Sequence, residues 1–253
     1  ANARISGHVN WDLVVNGVIN DNNSSGVSQA YSLQKWASGS GVGGTLTLNG
    51  LNTYAGATLV NAGILATPNL ANGGLASGIG QSSNAAANLV LSNGTLRYTG
   101  SAAASTDRNV TIATGTTGTV DVANAAATLT VSGAAANTTG ALQKSGAGTL
   151  VLTGTNLYSG ATTVSGGTLQ VGAGGTIGTL GTNTGTITVN SGTLAYNRSD
   201  NLTVANVIAG SGNVSQLGGG ITTLTATNTY TGATNVVAGR LILAPSASGT
   251  TMS

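Results

Sequence analysis

Five aspartates, one histidine and two lysines are the residues of this chain that could move a proton. The carboxylates are Asp12, Asp21, Asp107, Asp121 and Asp200, and there is no glutamate. Polysaccharide-cleaving enzymes need carboxylates, or a carboxylate and a base, grouped in a cleft. Asp107 and Asp121, 14 residues apart, are the pair that could converge on one face. Asp107 and Asp200 stand beside Arg108 and Arg198, which reads as paired, solvated turn residues. His8 with Asp12 or Asp21 formally supplies two members of a serine triad, but no Gly-x-Ser-x-Gly elbow follows, and a surface or cap histidine is the reading preferred. One histidine and no cysteine leave no zinc set. Calcium-binding Gly-Gly-x-Gly-x-Asp nonapeptides are absent, and no Gly-Lys-Ser/Thr closes a phosphate loop. The expectation is a chain without catalytic residues, metal or cofactor, and with no ligand-binding residue marked by its sequence.

The elements around these residues are unusual in composition. Glycine is 41 of 253 residues, charged residues are 5% and aromatics 3%, against about 25% charged in ordinary soluble domains. Thr, Ser, Asn and Gly stand where charge usually does. Disorder is excluded, because hydrophobic residues reach 40%, prolines number 2, and apolar residues alternate over short runs. Helix is disfavoured by the same Gly, Thr, Asn and Ser. The seven Lys/Arg (Arg4, Lys35, Arg97, Arg108, Lys144, Arg198, Arg240) are scattered, so no basic patch marks a nucleic-acid partner. The absence of cysteine suits a chain exported unfolded and is equally compatible with a cytosolic one. No segment has the length and apolarity of a membrane-spanning helix. The opening Ala1-Asn2-Ala3 is consistent with a small-residue cleavage site or with an arbitrary boundary.

Internal repeats organise the chain. Segments beginning at Thr45, Thr149 and Ile221 align without gaps. They share Asn52/Asn156/Asn228, Tyr54/Tyr158/Tyr230, Gly56/Gly160/Gly232, Thr58/Thr162/Thr234, Val60/Val164/Val236, Gly63/Gly167/Gly239 and Leu65/Leu169/Leu241. The copies are offset by 104 and 72 residues. A second unit, from Asn88, matches one from Thr186, so the order is A, B, A, B, A. Within units apolar residues fall at i and i+2, as in Leu46/Leu48, Leu150/Leu152 and Ile187/Val189, which puts both on one face of a short strand. Gly, Asn and Ser between the pairs make sharp turns. Three such sides close a rung of about 22 residues, and roughly eleven rungs spaced about 4.8 Å apart give an all-β solenoid about 50 Å long. The expected layout is one domain over 1–253, with 1–31 (Trp11, Asp12, Asp21) as an atypical N-terminal cap and 32–253 as the repeat body. The repeat tyrosines are expected at rung corners with hydroxyls outward, in preference to a ladder stacking on glycans. The repeat asparagines are expected to bond backbone in turns.

The run Gly148-TLVLTGTNLYSGATTVSGGTLQVG172, opened by Lys144-SGAG, resembles the autotransporter-associated β-strand repeat, or passenger-associated transport repeat. The first copy departs from that pattern at Trp36-ASGSGVGG, and the third has Gln216-LGGGITT, without the lysine. The resemblance implies a right-handed parallel β-helix exported through a C-terminal outer-membrane barrel. No such barrel is in this chain, since its strands and aromatic girdles need far more aromatic residues. The chain then reads as a fragment, a processed passenger or a repeat protein used without a barrel. The function implied is a stalk or adhesin segment at the bacterial surface, extracellular, with host, matrix or end-to-end self contacts as partners and no membrane insertion of its own. A head-to-tail fibre subunit is the alternative. A polysaccharide-active enzyme is remote, and so is an ice-binding surface, because the Thr-x-Thr pairs (Thr45/Thr47, Thr128/Thr130, Thr186/Thr188, Thr225/Thr227) are irregularly spaced.

Overall fold

The computed structural model describes residues 12–22, 26, 29–37, 43–182 and 184–244, and the backbone of 3–7. The short alternating runs are strands, and each named strand pair is parallel. Successive strands lie on three sides of a coil, and each stacks on the strand one turn before. One side opens with Ala3–Gly7, Leu33–Ala37, Thr58–Val60, Leu89–Leu91 and Thr111–Ile112. The second is the longest sheet, nine strands from Leu13–Val15 to Ile208–Ala209. The third holds seven, from Ala104–Thr106 to Thr234–Val236. On the first side the ladder lapses after Ile112. A parallel bridge at Val110–Ala135 and isolated bonds then carry the stacking, among them Ala136 N–H to Val110 O (2.8 Å), Leu157 N–H to Ala135 O (2.9 Å) and Thr182 N–H to Tyr158 O (2.8 Å). A three-stranded sheet (Leu202–Val204, Ile221–Leu224, Arg240–Leu243) takes this side up again. This is an all-β parallel β-helix.

The i, i+2 apolar pairs point inward and stack in columns. On the third side Leu129, Leu150, Leu169, Leu194 and Val214 are consecutive partners and form one continuous core column. Narrow columns of this kind leave little room for Phe, in keeping with its absence.

The pairing also shows what the offsets of the repeat mean. The first copy begins on the second side with Thr45–Leu48. Four turns up that sheet lies Ala141–Ser145, and the second copy begins one side further on with Thr149–Leu152. Three turns above that strand lies Asn213–Gln216, and the third copy begins again one side on, with Ile221–Leu224. The offsets are therefore four and three turns plus a third, and a turn holds about 22–24 residues, within the range for solenoid repeats. Each copy is rotated by one side, so identical residues of the three copies never form a stripe along the rod.

Gly63, Gly167 and Gly239 stand at one repeat corner with φ of +68°, +61° and +64°. A Cβ there would also lie 2.8, 2.2 and 2.2 Å from the carbonyl oxygens of Gly44, Gly148 and Gly220, one turn below. Left-handed backbone and close approach both demand glycine at this corner.

Candidate functional site

The groups that could do chemistry are used to join turns. Asp12 Oδ1 accepts from Thr45 N–H (2.6 Å), Asp21 Oδ2 from Ala55 N–H (2.8 Å) and Asp107 Oδ1 from Gly73 N–H (2.7 Å). Asp121 Oδ2 takes the Nε–H of Arg97, one turn below, at 2.9 Å. Asp200 receives two bonds from Arg198, at 2.8 and 2.7 Å, and this pairing holds its carboxyl below the usual range. Asp107 and Asp121 do not converge: one caps the turn at Gly73, the other lies on the second side against Arg97. His8 and Trp11 lie outside the described residues. Among those described, no three His, Cys, Asp or Glu side chains are grouped to hold a metal ion.

The pairing expected of Asp107 with Arg108 is corrected. Arg108 is 1% exposed and is not solvated. Its guanidinium donates to Ala71 O (3.2 Å), Ser82 O and Oγ (both 2.9 Å), Leu75 O (3.3 Å) and Gly80 O (2.9 Å). These carbonyls belong to an excursion over 68–88 that leaves the ladder between the strands Gly63–Thr67 and Leu89–Leu91. Asp107 follows directly on the strand Ala104–Thr106, and it and Arg108 part to different partners, whereas a bend at 199–200 brings Asp200 back onto Arg198.

The tyrosine expectation fails for the hydroxyl. Tyr54 and Tyr158 are buried, and their hydroxyls point inward to Thr58 Oγ1 (2.7 Å) and Thr162 Oγ1 (2.8 Å). Tyr230 meets Thr234 in the same way at 2.7 Å, with more exposure. The repeat places this threonine in an apolar column, Leu142–Thr162–Ile187 in the second copy. A hydroxyl there needs a partner, and the tyrosine four residues earlier supplies it. Burial pushes both phenols well above their ordinary pKa. No aromatic surface is presented for stacking on glycans at Tyr54 or Tyr158. Tyr158→Phe is expected to cost about 1–2 kcal/mol by orphaning Thr162 Oγ1, and Tyr158→Phe with Thr162→Val to recover most of it. Urea unfolding of the single and double variants measures this.

The motif lysine also points inward. Lys144 lies in the column between Val120 and Val164 and is 0% exposed. Its ammonium reaches the corner and donates to the carbonyls of Ser145 (2.6 Å), Gly146 (2.9 Å) and Gly166 (3.2 Å). Gln216, at the same position of the third copy, sends Nε2 to Gly218 O (2.8 Å) and Gly220 O (3.2 Å). The motif therefore requires a long side chain ending in N–H donors, which glutamine meets without charge. Burial pushes the Lys144 ammonium down to about 8, with Asp121 opposing. Below pH 8 folded and unfolded chains both carry the proton. Above pH 8 the unfolded chain keeps it longer, so Lys144's contribution to stability rises with pH from about 8 toward 10.5. Lys144→Gln is expected to fold and to flatten that rise, as read by urea midpoints across the window.

The repeat asparagines bond backbone, as expected, but across turns. Asn52 Oδ1 accepts from Ile19 N–H (2.8 Å) below and Nδ2 donates to Gly78 O (3.0 Å) above. Asn156 does the same with Ala135 N–H (2.8 Å) and Thr179 O (2.7 Å). Asn228 Oδ1 accepts from Ile208 N–H (2.8 Å).

Among the described residues, two surfaces bear on contact with another molecule. On the third side Thr128, Thr149, Thr168 and Thr193 stack in register, but the residues two further on are Thr130, Val151, Gln170 and Ala195, of which Val151 and Ala195 are buried. The second threonine column of a flat array is missing. Lower on the same side, the 68–77 part of the excursion and the segment 103–105 border a groove of about 440 Å³. Leu51 and Leu75 stand on it at 54% and 58% exposure. Ala104–Thr106 is the first strand of the third sheet, so its lower ladder edge faces this groove. Nothing local in the sequence marked this groove; it exists because the excursion, held down by Arg108, stands where a ladder strand would.

The passenger-associated-transport-repeat model matches residues 43–66, 142–171 and 214–243. Over 225 residues the chain is 41% identical to the "Adhesin BmaC autotransporter" of Brucella suis biovar 1 (strain 1330), a match covering 76% of this chain and 6% of that protein. No solved structure matches.

Proposed function

We propose that this chain, a repeat-bearing segment of an autotransporter passenger, works at the bacterial surface as an extracellular β-helical stalk or adhesin segment and not as an enzyme. The observation that carries this reading is the fate of the carboxylates: Asp12, Asp21, Asp107 and Asp121 each hold a backbone N–H or an arginine of a neighbouring turn, and Asp200 is held by Arg198 of its own. What the rod offers a partner is shape, hydroxyls and the groove beside Leu51 and Leu75. With 5% charged residues, such contact is close to charge-neutral and changes little with salt.

The adhesive role is supported by the similarity to a protein named an adhesin, of which this chain spans 6%. Beads coated with the chain are expected to bind host cells or extracellular matrix. Leu51→Asp and Leu75→Asp, both at exposed positions, are expected to reduce binding about fivefold or more with unchanged stability, as for hot-spot residues. Binding indifferent to both substitutions removes the groove from the reading. Cleavage of any member of a polysaccharide panel overturns the non-enzymatic part. Filaments in electron micrographs, instead of single rods, replace the reading by end-to-end self-association.

A further inference from the structure

The third sheet begins at Ala104–Thr106, and its lower edge is open where the groove lies. Along an extended strand, successive residues send their N–H and C=O to opposite edges. Thr106 O points up, where it accepts from Ser132 N–H at 2.9 Å. Asp107 N–H points down, to Asn72 Oδ1 at 3.0 Å. By the same alternation the N–H and the carbonyl of Ser105 both point down, toward the groove. Ser105 is exposed and borders it. Among the described residues, the excursion gives the Ser105 backbone neither donor nor acceptor. It meets this edge only further along, at Thr106 Oγ1 with Ala71 O (2.9 Å) and at Asp107 with Asn72 and Gly73.

Elsewhere on this side such an edge is covered by a strand. Ala104–Thr106 covers it for Thr128–Val131, and Thr128–Val131 for Thr149–Leu152. A donor and an acceptor set on one extended residue are matched by an extended backbone laid alongside. The walls set the side chains of that backbone. Leu51 and Leu75 stand exposed on the groove, and no charged residue lines it.

We propose that the groove binds an extended peptide segment of a partner protein, uncharged and carrying an apolar residue, which adds below Ala104–Thr106 as one more strand. This rests on the adhesive role proposed above and gives the chemistry that its contact site recognises. The edge is three residues long, about 10 Å, and it ends against Asn72. Pairing is therefore short and a single contact weak, so adhesion comes from many rods engaged together. A glycan fits less well, because Tyr98, the aromatic residue on the groove, is 3% exposed and presents no ring to stack on.

The probe is an acetylated, amidated heptapeptide alternating threonine and valine. At millimolar concentration it is expected to slow hydrogen exchange at Ser105 N–H about tenfold, read by NMR on the whole chain. A fully N-methylated form cannot lie alongside as a strand and should leave that exchange unchanged. Ser105→Pro removes the N–H at an edge position that proline tolerates, after an extended Ala104. It should weaken peptide binding about tenfold, read from the methyl resonances of Leu51 and Leu75. No slowing at Ser105, or equal binding of the methylated peptide, overturns the proposal. Slowing that needs no peptide and grows with the chain's own concentration makes a second copy the occupant, and also overturns it. A saccharide that shifts these methyl resonances when the peptide shifts none does the same. Coated beads separate this site from the adhesive role. If Leu51→Asp abolishes cell binding and Ser105→Pro does not, the groove adheres without strand addition. If beads of the parent chain bind no cells, the adhesive role falls, and the peptide result still decides the strand site.

Discussion

Replacing Arg108 by methionine is expected to cost about 3–5 kcal/mol and to release the 68–88 excursion. Methionine fills much of the same space and removes the cost of burying a charge, yet it takes from Leu75 O its arginine donor and from Ala71 O, Gly80 O and Ser82 O one of two donors each, the others being Thr106 Oγ1, Ser77 Oγ and Gly74 N–H. Each is served at 2.9–3.3 Å by one rigid fork reaching across 26 to 37 residues of sequence. Lysine does not substitute, because one ammonium cannot span four carbonyls held in a plane around a guanidinium. Burial lowers the guanidinium's pKa, but arginine stays charged in proteins, so the effect carries no pH dependence near neutrality. Urea unfolding gives the loss. Limited proteolysis gives its place, with new cleavage inside 68–88 in Arg108→Met and in Arg108→Lys. A variant with unchanged midpoint and unchanged cleavage pattern shows that the fork contributes nothing net. The Leu51–Leu75 groove should lose its shape together with the excursion, so bead binding ought to fall in the same variants.

Arg108 also shows where sequence reasoning stops. The repeats, their alternation and the inward i, i+2 pairs were legible because solenoid stacking is local and repetitive. The motif asparagines were legible as backbone-bonding residues, since their chemistry allows little else in a turn. Their span across neighbouring turns was not, because it depends on which turn lies above. Arg108 was read beside Asp107 as an ion pair, and nothing local showed that the two part to different partners while a bend brings Asp200 back onto Arg198. The one-side rotation of successive copies was present in the offset of 104, which is not a whole number of turns of about 22–24 residues. The offset of 72 equals three turns of about 24 and carries no such signal by itself. The tyrosine hydroxyl could have been placed from Thr58, Thr162 and Thr234, which the i, i+2 pattern puts on the inward face with Val60, Val164 and Val236. A buried threonine implies a partner nearby. The groove had no local signal, because it arises where an excursion displaces a strand.

Asn156→Leu is expected to cost about 2–4 kcal/mol and to split unfolding into two steps. The side chain is 4% exposed and joins three turns. Its Oδ1 holds Ala135 N–H below at 2.8 Å, and its Nδ2 holds Thr179 O above at 2.7 Å, with Gly154 O at 3.3 Å in its own turn. This happens on the side where the ladder has lapsed, so the turns around Asn156 are joined there by a few isolated backbone bonds and not by strand pairing. Leucine would orphan one buried donor and one buried acceptor on a side that has no strand ladder. A solenoid is held by nearest-neighbour terms, so weakening one interface lets the segments on either side unfold separately. Asn156→Asp separates the two halves of the role. An ionised aspartate keeps the acceptor for Ala135 but sets a negative charge against Thr179 O, whereas a protonated one can donate to it. The folded state therefore raises that carboxyl's pKa. The variant should be most stable in acid and lose stability as pH rises through the raised value. Circular dichroism in urea, at acidic and neutral pH, measures both effects. A single transition in Asn156→Leu at the wild-type midpoint would place the coupling between these turns in the two remaining ladders alone.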